Sequence, residues 1–111
     1  MHPSSKRFHE ILSELATLHD KKSADYGRGD DPFANVRASE EWGVEPWVGA
    51  MVRATDKVRR LQSLIQNGKL ENESAEDSLR DLAVYSVIAL VLFEQRDHRT
   101  GDSDPAVSTS Q

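Results

Sequence analysis

Cysteine is absent from the 111-residue chain, which excludes disulfides, thiol catalysis and Cys-ligated zinc. Aromatic side chains are scarce, with three Phe, two Tyr and two Trp. Any core must therefore be aliphatic and thin, and a chain this short leaves much of its surface wet. The longest apolar run, Leu82 to Phe93, has twelve residues and includes Tyr85 and Ser86. That falls short of the roughly 17–25 residues that a membrane span needs. No apolar N-terminal region is present, so no signal peptide is expected. Positive charge is also short: 14 Lys and Arg against 19 Asp and Glu leave a net charge of −5. General nucleic-acid binding and binding to anionic membranes both need a basic footprint, and neither is expected. His2, His9, His19 and His98 show no pair at ligand spacing. No Ser-His-Asp order, glycine-rich phosphate loop or zinc signature occurs. These absences describe a soluble, cytoplasmic protein of one domain.

What is present is helical periodicity. Phe8, Ile11, Leu12, Leu15 and Leu18 recur at helical spacing. With Ser4 and Ser5 at N-cap positions, the first helix is expected from about Ser5 to Asp25, ended by Gly27 and Gly29. A short helix is expected within Phe33–Trp42, stopped by Gly43. Pro46 suits the first turn of a third helix. Trp47, Met51, Ala54, Val58, Leu61 and Ile65 then follow at steps of 4, 3, 4, 3 and 4. That spacing predicts one buried seam, closed by Asn67-Gly68. A last helix is expected from about Glu73 to Gln95, apolar on every face in its second half and so central and buried. Residues 1–98 form a single helical domain in this reading. The tail from 99 to 111, rich in Gly, Asp, Ser, Pro and Thr, reads as disordered. The fold class is all-α: a bundle of three long helices and one short one. One chain offers the last helix too few partners, so a homo-oligomer is expected, most simply a two-fold dimer.

Four groups of residues could carry chemistry. Lys22 and Tyr26 continue the apolar stripe of the first helix past His19. Either the bundle ends there and these groups are simply wet, or they line a pocket mouth. In that second case Lys22 meets phosphate and Tyr26 stacks on a base. Glu73, Asp77 and Asp81 share one face of the last helix at i, i+4 and i+8. They are either the acids that a helix N-terminus favours or a hard-oxygen site for Mg²⁺, with Mn²⁺ as the alternative. Asp81, beyond the second turn, suits the first explanation poorly. The third helix also carries the basic set Arg53, Lys57, Arg59 and Arg60, read as a solvated face. Asp56 lies about 180° from that helix's seam. It either pairs with Arg60 in solvent or serves a second buried face. Between the helices, Phe33 and Asn35 could read a base face and edge, or Asn35 could simply make a turn.

At these residues the chain resembles a known set of proteins. Lys22-x-x-Asp25-Tyr26-Gly27, Phe33-x-Asn35, Asp56-Lys57-x-x-Arg60-Leu61 and Glu73-Ser74-x-x-Asp77-Ser78-Leu79-x-Asp81-Leu82-Ala83-x-Tyr85 look like small phage and prophage proteins. These include the nucleotide-modification-associated helical domain. The last helix also resembles the second motif of the all-α nucleoside triphosphate pyrophosphohydrolases, the MazG and dimeric dUTPase group. The resemblance spans roughly Leu18 to Gln95. It implies a dimer or tetramer that binds Mg²⁺ and a (deoxy)nucleoside triphosphate and releases the monophosphate and pyrophosphate. Asp77 and Asp81 would be catalytic metal ligands, Glu73 and Asp56 further ligands, and Lys57 and Arg60 would offset phosphate charge. Lys22, Asp25, Tyr26, Phe33, Asn35 and Tyr85 would complete the nucleotide site. The group's first motif, Glu-x-x-Glu on the preceding helix, is reduced here to Asp56. Glu10 and Glu14 project away from the apolar stripe and are poor substitutes. The alternative is therefore a non-catalytic nucleotide-binding, sequestering or modification-accessory protein. If the chain is phage-encoded, its place is the cytoplasm of the bacterial host.

Overall fold

The computed structural model describes residues 1–26, 31–68 and 74–100, the side chains of 24–26 and 97–100 excepted. Every regular element among them is helical. The first helix, α1, runs over Pro3–Tyr26. It starts earlier than Ser4 and Ser5 suggest, because His2 Nδ1 accepts the Ser4 N–H at 3.0 Å. An imidazole thus takes the capping role, and Pro3 sits where a missing N–H costs nothing. A short helix, α2 (Ala34–Arg37), passes into a 3₁₀ segment, Ala38–Trp42. Asp31 sets up this entry: its Oδ1 accepts the Phe33 N–H at 2.9 Å, and its Oδ2 pairs with Arg37 Nε at 2.8 Å. Helix α3 spans Pro46–Asn67, with Pro46 in its first turn. Gly43 and Gly68 close the two preceding elements at φ of 75° and 84°, the left-handed region that costs glycine nothing. Helix α4 spans Ala75–Thr100. Ser74 Oγ caps it by accepting the Asp77 N–H at 3.1 Å. Its start lies two residues after the expected one, and its end lies past the expected domain boundary at 98. Gly27, Gly29, Glu73 and the tail beyond Thr100 lie outside the described residues.

Helices α3 and α4 form the body of the molecule and run antiparallel. Trp47 stacks edge-on against Phe93 with centroids 5.3 Å apart, and Lys57 meets Asp81 further along. The buried cluster is Val36, Ala50, Ile88, Ala89 and Leu92, with Phe33, Trp47, Val84 and Tyr85 packed on it. The seam on α3 departs from the expected one. Ala50 and Ala54 are fully buried, whereas Ile65 is 83% exposed and Met51 and Val58 face outward. The inward row is Trp47, Ala50, Ala54, Lys57, Leu61 and Leu64. Two alanines let the helix axes approach closely, and that close approach outweighs the larger side chains one position along.

The expected burial of the second half of α4 on every face is also corrected. Ile88, Ala89 and Leu92 are buried, but Val87 at 57% and Leu90 at 57% remain exposed, because only α3 packs against α4 along most of its length. Helix α1 touches α4 sparingly, through Leu15 and through Arg80 Nη1, which donates to Glu14 Oε1 at 3.2 Å. Phe8 and Leu12 on the predicted stripe stay exposed. None of the described helices is long and apolar enough to cross a membrane.

The 3₁₀ segment reaches α3 at Gly49. A Cβ placed there would lie 2.6 Å from Ser39 Oγ, 2.8 Å from Ser39 Cβ and 3.4 Å from the Val36 carbonyl oxygen. Glycine inside a helix costs about 1 kcal/mol relative to alanine. Overpacking costs about 1–3 kcal/mol, so the steric effect wins. Gly49→Ala is expected to lower Tm by several degrees, and Ser39→Gly in the same chain to recover most of the loss. Thermal unfolding of the two variants checks this, and a Gly49→Ala protein as stable as the parent would contradict it.

The Arg7 and Arg80 guanidiniums together hold the Glu14 carboxyl below the usual carboxylate range, Arg7 contributing most. A depressed acid stabilises the folded state above its unfolded pKa, and that contribution disappears as pH falls through the lowered value. The wild-type Tm should therefore drop more steeply below about pH 4 than that of Glu14→Gln. Parallel curves for the two proteins would show that the contact is too solvated to matter.

Candidate functional site

Where α1, α2 and the α3–α4 hairpin meet, a cavity of about 180 Å³ opens. Leu18, Val36, Val84 and Ile88 give it an apolar wall, and three rings, His19, Phe33 and Tyr85, stand around it. His19 and Phe33 lie with ring centroids 5.6 Å apart and planes tilted by 37°. The His19 Nε2 lies 3.4 Å from Ser23 Oγ, which fixes the imidazole against its own helix. The charged groups on the lining are Lys22 of α1, Arg53 of α3 and Asp81 of α4. Lys22 and Arg53 are exposed, so their charges sit at the rim. Asp81 is more enclosed, and Lys57 Nζ holds its Oδ2 at 3.1 Å.

The cavity brings together five residues singled out from the sequence: Lys22, Phe33, Asn35, Asp81 and Tyr85. They come from three separate elements, so their convergence is a property of the fold and not of local spacing. Lys57 belongs to the same neighbourhood through its bond to Asp81. Arg60 and Asp56 lie on exposed parts of α3 and do not line the cavity. Asp77 is exposed in the first turn of α4, its N–H bonded to the capping Ser74. The side chains of Asp25 and Tyr26, and all of Glu73, lie outside the described residues. Asn35 is not the turn residue. It sits on α2, and the turn belongs to Asp31.

Two lining residues escaped the sequence reading as site residues. His19 was already legible as a member of the α1 stripe, four positions after Leu15. Arg53 had no such signal, because the expected seam held Met51 in place of Ala50. Once Ala50 is seen to face inward, Arg53 falls one helical turn along the same edge.

The described donors do not gather for the divalent ion that the resemblance implies, and Glu73, one of its expected ligands, lies outside the described residues. Among the described residues no three His, Asp or Glu side chains gather as a metal site. Mg²⁺ prefers an octahedral oxygen shell with one or two carboxylates. Among the described residues Asp81 is the only carboxylate that lines the cavity, and an ammonium already engages it. With Lys22 and Arg53 close by, the described lining carries more positive charge than negative.

Compared with protein-family models, curated proteins and solved structures, the chain matches none.

Proposed function

We propose that the chain is a nucleotide-binding helical protein whose ligand enters the cavity between α1, α2 and the α3–α4 hairpin. The observation that carries this reading is the pairing of aromatic rings with rim cations on one concavity. Phe33 and Tyr85 offer faces and edges for a planar base, with the aliphatic wall behind them. Lys22 and Arg53 offer a point charge and a planar fork for phosphate oxygens. Asn35, exposed on α2, supplies both a donor and an acceptor for a base edge.

Hydrolysis of a nucleoside triphosphate to monophosphate and pyrophosphate is the second reading. It rests on the resemblance and on Asp81, an acid within the cavity wall. It asks for metal ligands that the described carboxylates do not gather. Binding without turnover asks for nothing beyond the cavity's own side chains.

The test is thermal unfolding of the full chain with each deoxynucleotide, with pyrophosphate release read from the same wells. A nucleotide at 100 times its Kd adds about 2.7 kcal/mol to the folded state. That corresponds to a rise in Tm on the order of 10 °C for a chain of this size. Lys22→Ala and Arg53→Ala should each weaken binding by roughly tenfold at low salt and by less at high salt. Absence of any shift across the nucleotides would remove the reading, and pyrophosphate release would replace it with the enzyme.

The proposed protein is also a homo-oligomer. Val87 on α4 and Leu12 on α1 line a groove of about 330 Å³, and Leu90 and Phe8 on the same two helices expose further apolar surface. One molecule thus carries both a ridge and a groove, as an interface between identical copies requires. Sedimentation equilibrium at micromolar concentration should give a mass above 12.4 kDa, and Leu90→Glu should return it to the monomer. A wild-type monomer at that concentration would contradict the assembly.

A further inference from the structure

We propose that the Lys57 ammonium occupies the place of a divalent cation at Asp81, so that the cavity takes a ring-bearing phosphate ester without metal. The inference rests on the nucleotide reading above and specifies the ligand class and the role of the Lys57–Asp81 ion pair. Three observations support it.

First, the pair is built into the fold. Lys57 stands on the inward row of α3, in register with Ala50, Ala54 and Leu61, where a lysine is costly unless matched. Its side chain is 17% exposed and that of Asp81 28% exposed, and their N–O distance is 3.1 Å. Removing either partner strands the other charge in a poorly solvated place. A metal ion at Asp81 would have to displace the ammonium from that position.

Second, the remaining field is wrong for a cation and right for an anion. Lys57 neutralises Asp81, and the other charged groups on the lining among the described residues, Lys22 and Arg53, are both positive. A free divalent ion would be repelled by both. A phosphate would meet two cations and one already neutralised acid.

Third, the volume is small. About 180 Å³ is room for one planar ring, by comparison with the roughly 150 Å³ apolar cavities that hold benzene. The phosphate must then lie at the rim, beside Lys22 and Arg53. A nucleoside monophosphate fits this division of ring inside and charge outside. Further phosphates would extend into solvent without a described partner, so they should add little affinity.

The experiment is isothermal titration of the full chain with the four deoxynucleoside monophosphates and their triphosphates, in EDTA and again in Mg²⁺. Titration of Mn²⁺ alone, read by electron paramagnetic resonance, runs beside it. Monophosphate affinity should be equal in EDTA and Mg²⁺, and Mn²⁺ should stay free. Asp81→Asn should bind the monophosphate at least as tightly as wild type, because it removes the nearest negative charge. Lys57→Met should weaken binding by roughly tenfold, because it exposes that charge. The double variant Lys57→Met/Asp81→Asn should return close to wild type, and it keeps the test decisive if either single variant unfolds. Binding that requires Mg²⁺, loss of binding in Asp81→Asn, or Mn²⁺ bound by the wild type would each overturn the proposal. If no nucleotide binds under either condition, the nucleotide reading fails. The Mn²⁺ titration then still decides whether Lys57 keeps a divalent ion from Asp81.

Discussion

The close approach of α3 to α4 is the constraint on which the rest of the molecule depends. It is made by small side chains, Ala50 and Ala54 on one helix and Ser78 and Ala89 on the other, each at most 6% exposed. Where two helices come this near, no large side chain fits along the line of contact, and the larger ones are moved to its flanks. Trp47, Phe93, Ile88 and Leu92 fill the flanks at one end. Toward the other end the row reaches Lys57, which the approach of the backbones places directly opposite Asp81. The ion pair thus follows from the alanine contact: the two helices must cross at this register before the two charges can meet.

The same constraint explains why the chain looks unfinished. A hairpin that buries its inner faces through alanines removes little apolar area from water, at about 25 cal/mol per Å². The large aliphatics of α4 that point elsewhere, such as Val87 and Leu90, then depend on other elements. Helix α1 does not supply enough contact, since it meets α4 around Leu15 and the Glu14–Arg80 bond and exposes Phe8 and Leu12. Its loose seating has a useful side, because a helix that leans away at one end leaves a cavity at the other. Lys22, His19 and Ser23 stand over that cavity because α1 is not packed down onto α4.

Much of the fold was legible in the sequence. Periodicity located the three long helices, Pro46 and Gly68 marked both ends of α3, and Gly43 marked the end of the irregular segment before it. What failed was half of the face: Trp47, Ala54 and Leu61 belong to both rows, but Met51, Val58 and Ile65 give way to Ala50, Lys57 and Leu64. The step pattern from Trp47 to Ile65 is a valid seam by spacing, and it has larger apolar residues than the true one. Spacing counts apolar positions, whereas packing selects by the distance between backbones, which single-residue hydrophobicity does not encode. The His2 cap was hidden for a related reason: serine is the better capping residue, but only His2 stands before Pro3 and the helix start that Pro3 favours.

For the site, the legible part was the unusual residue and the missing part was its neighbour. Lys22 on an apolar stripe and Asp81 inside an apolar helix both stood out as charges in the wrong company, and both line the cavity. Their partners did not stand out. Arg53 and Lys57 read as members of a basic, solvated run on α3, because a run of like residues hides which member faces inward. Where the inner row takes Ala50, Lys57 and Leu64 in place of Met51, Val58 and Ile65, the meaning of that run changes: Lys57 becomes part of the helix contact, Arg53 joins the cavity rim, and Asp56 and Arg60 stay on exposed parts of α3. Among the described lining residues, positive charge then outnumbers negative. The chemistry of a small helical site depends on such changes of row, because successive residues on a helix differ by 100° and often by a full unit of charge.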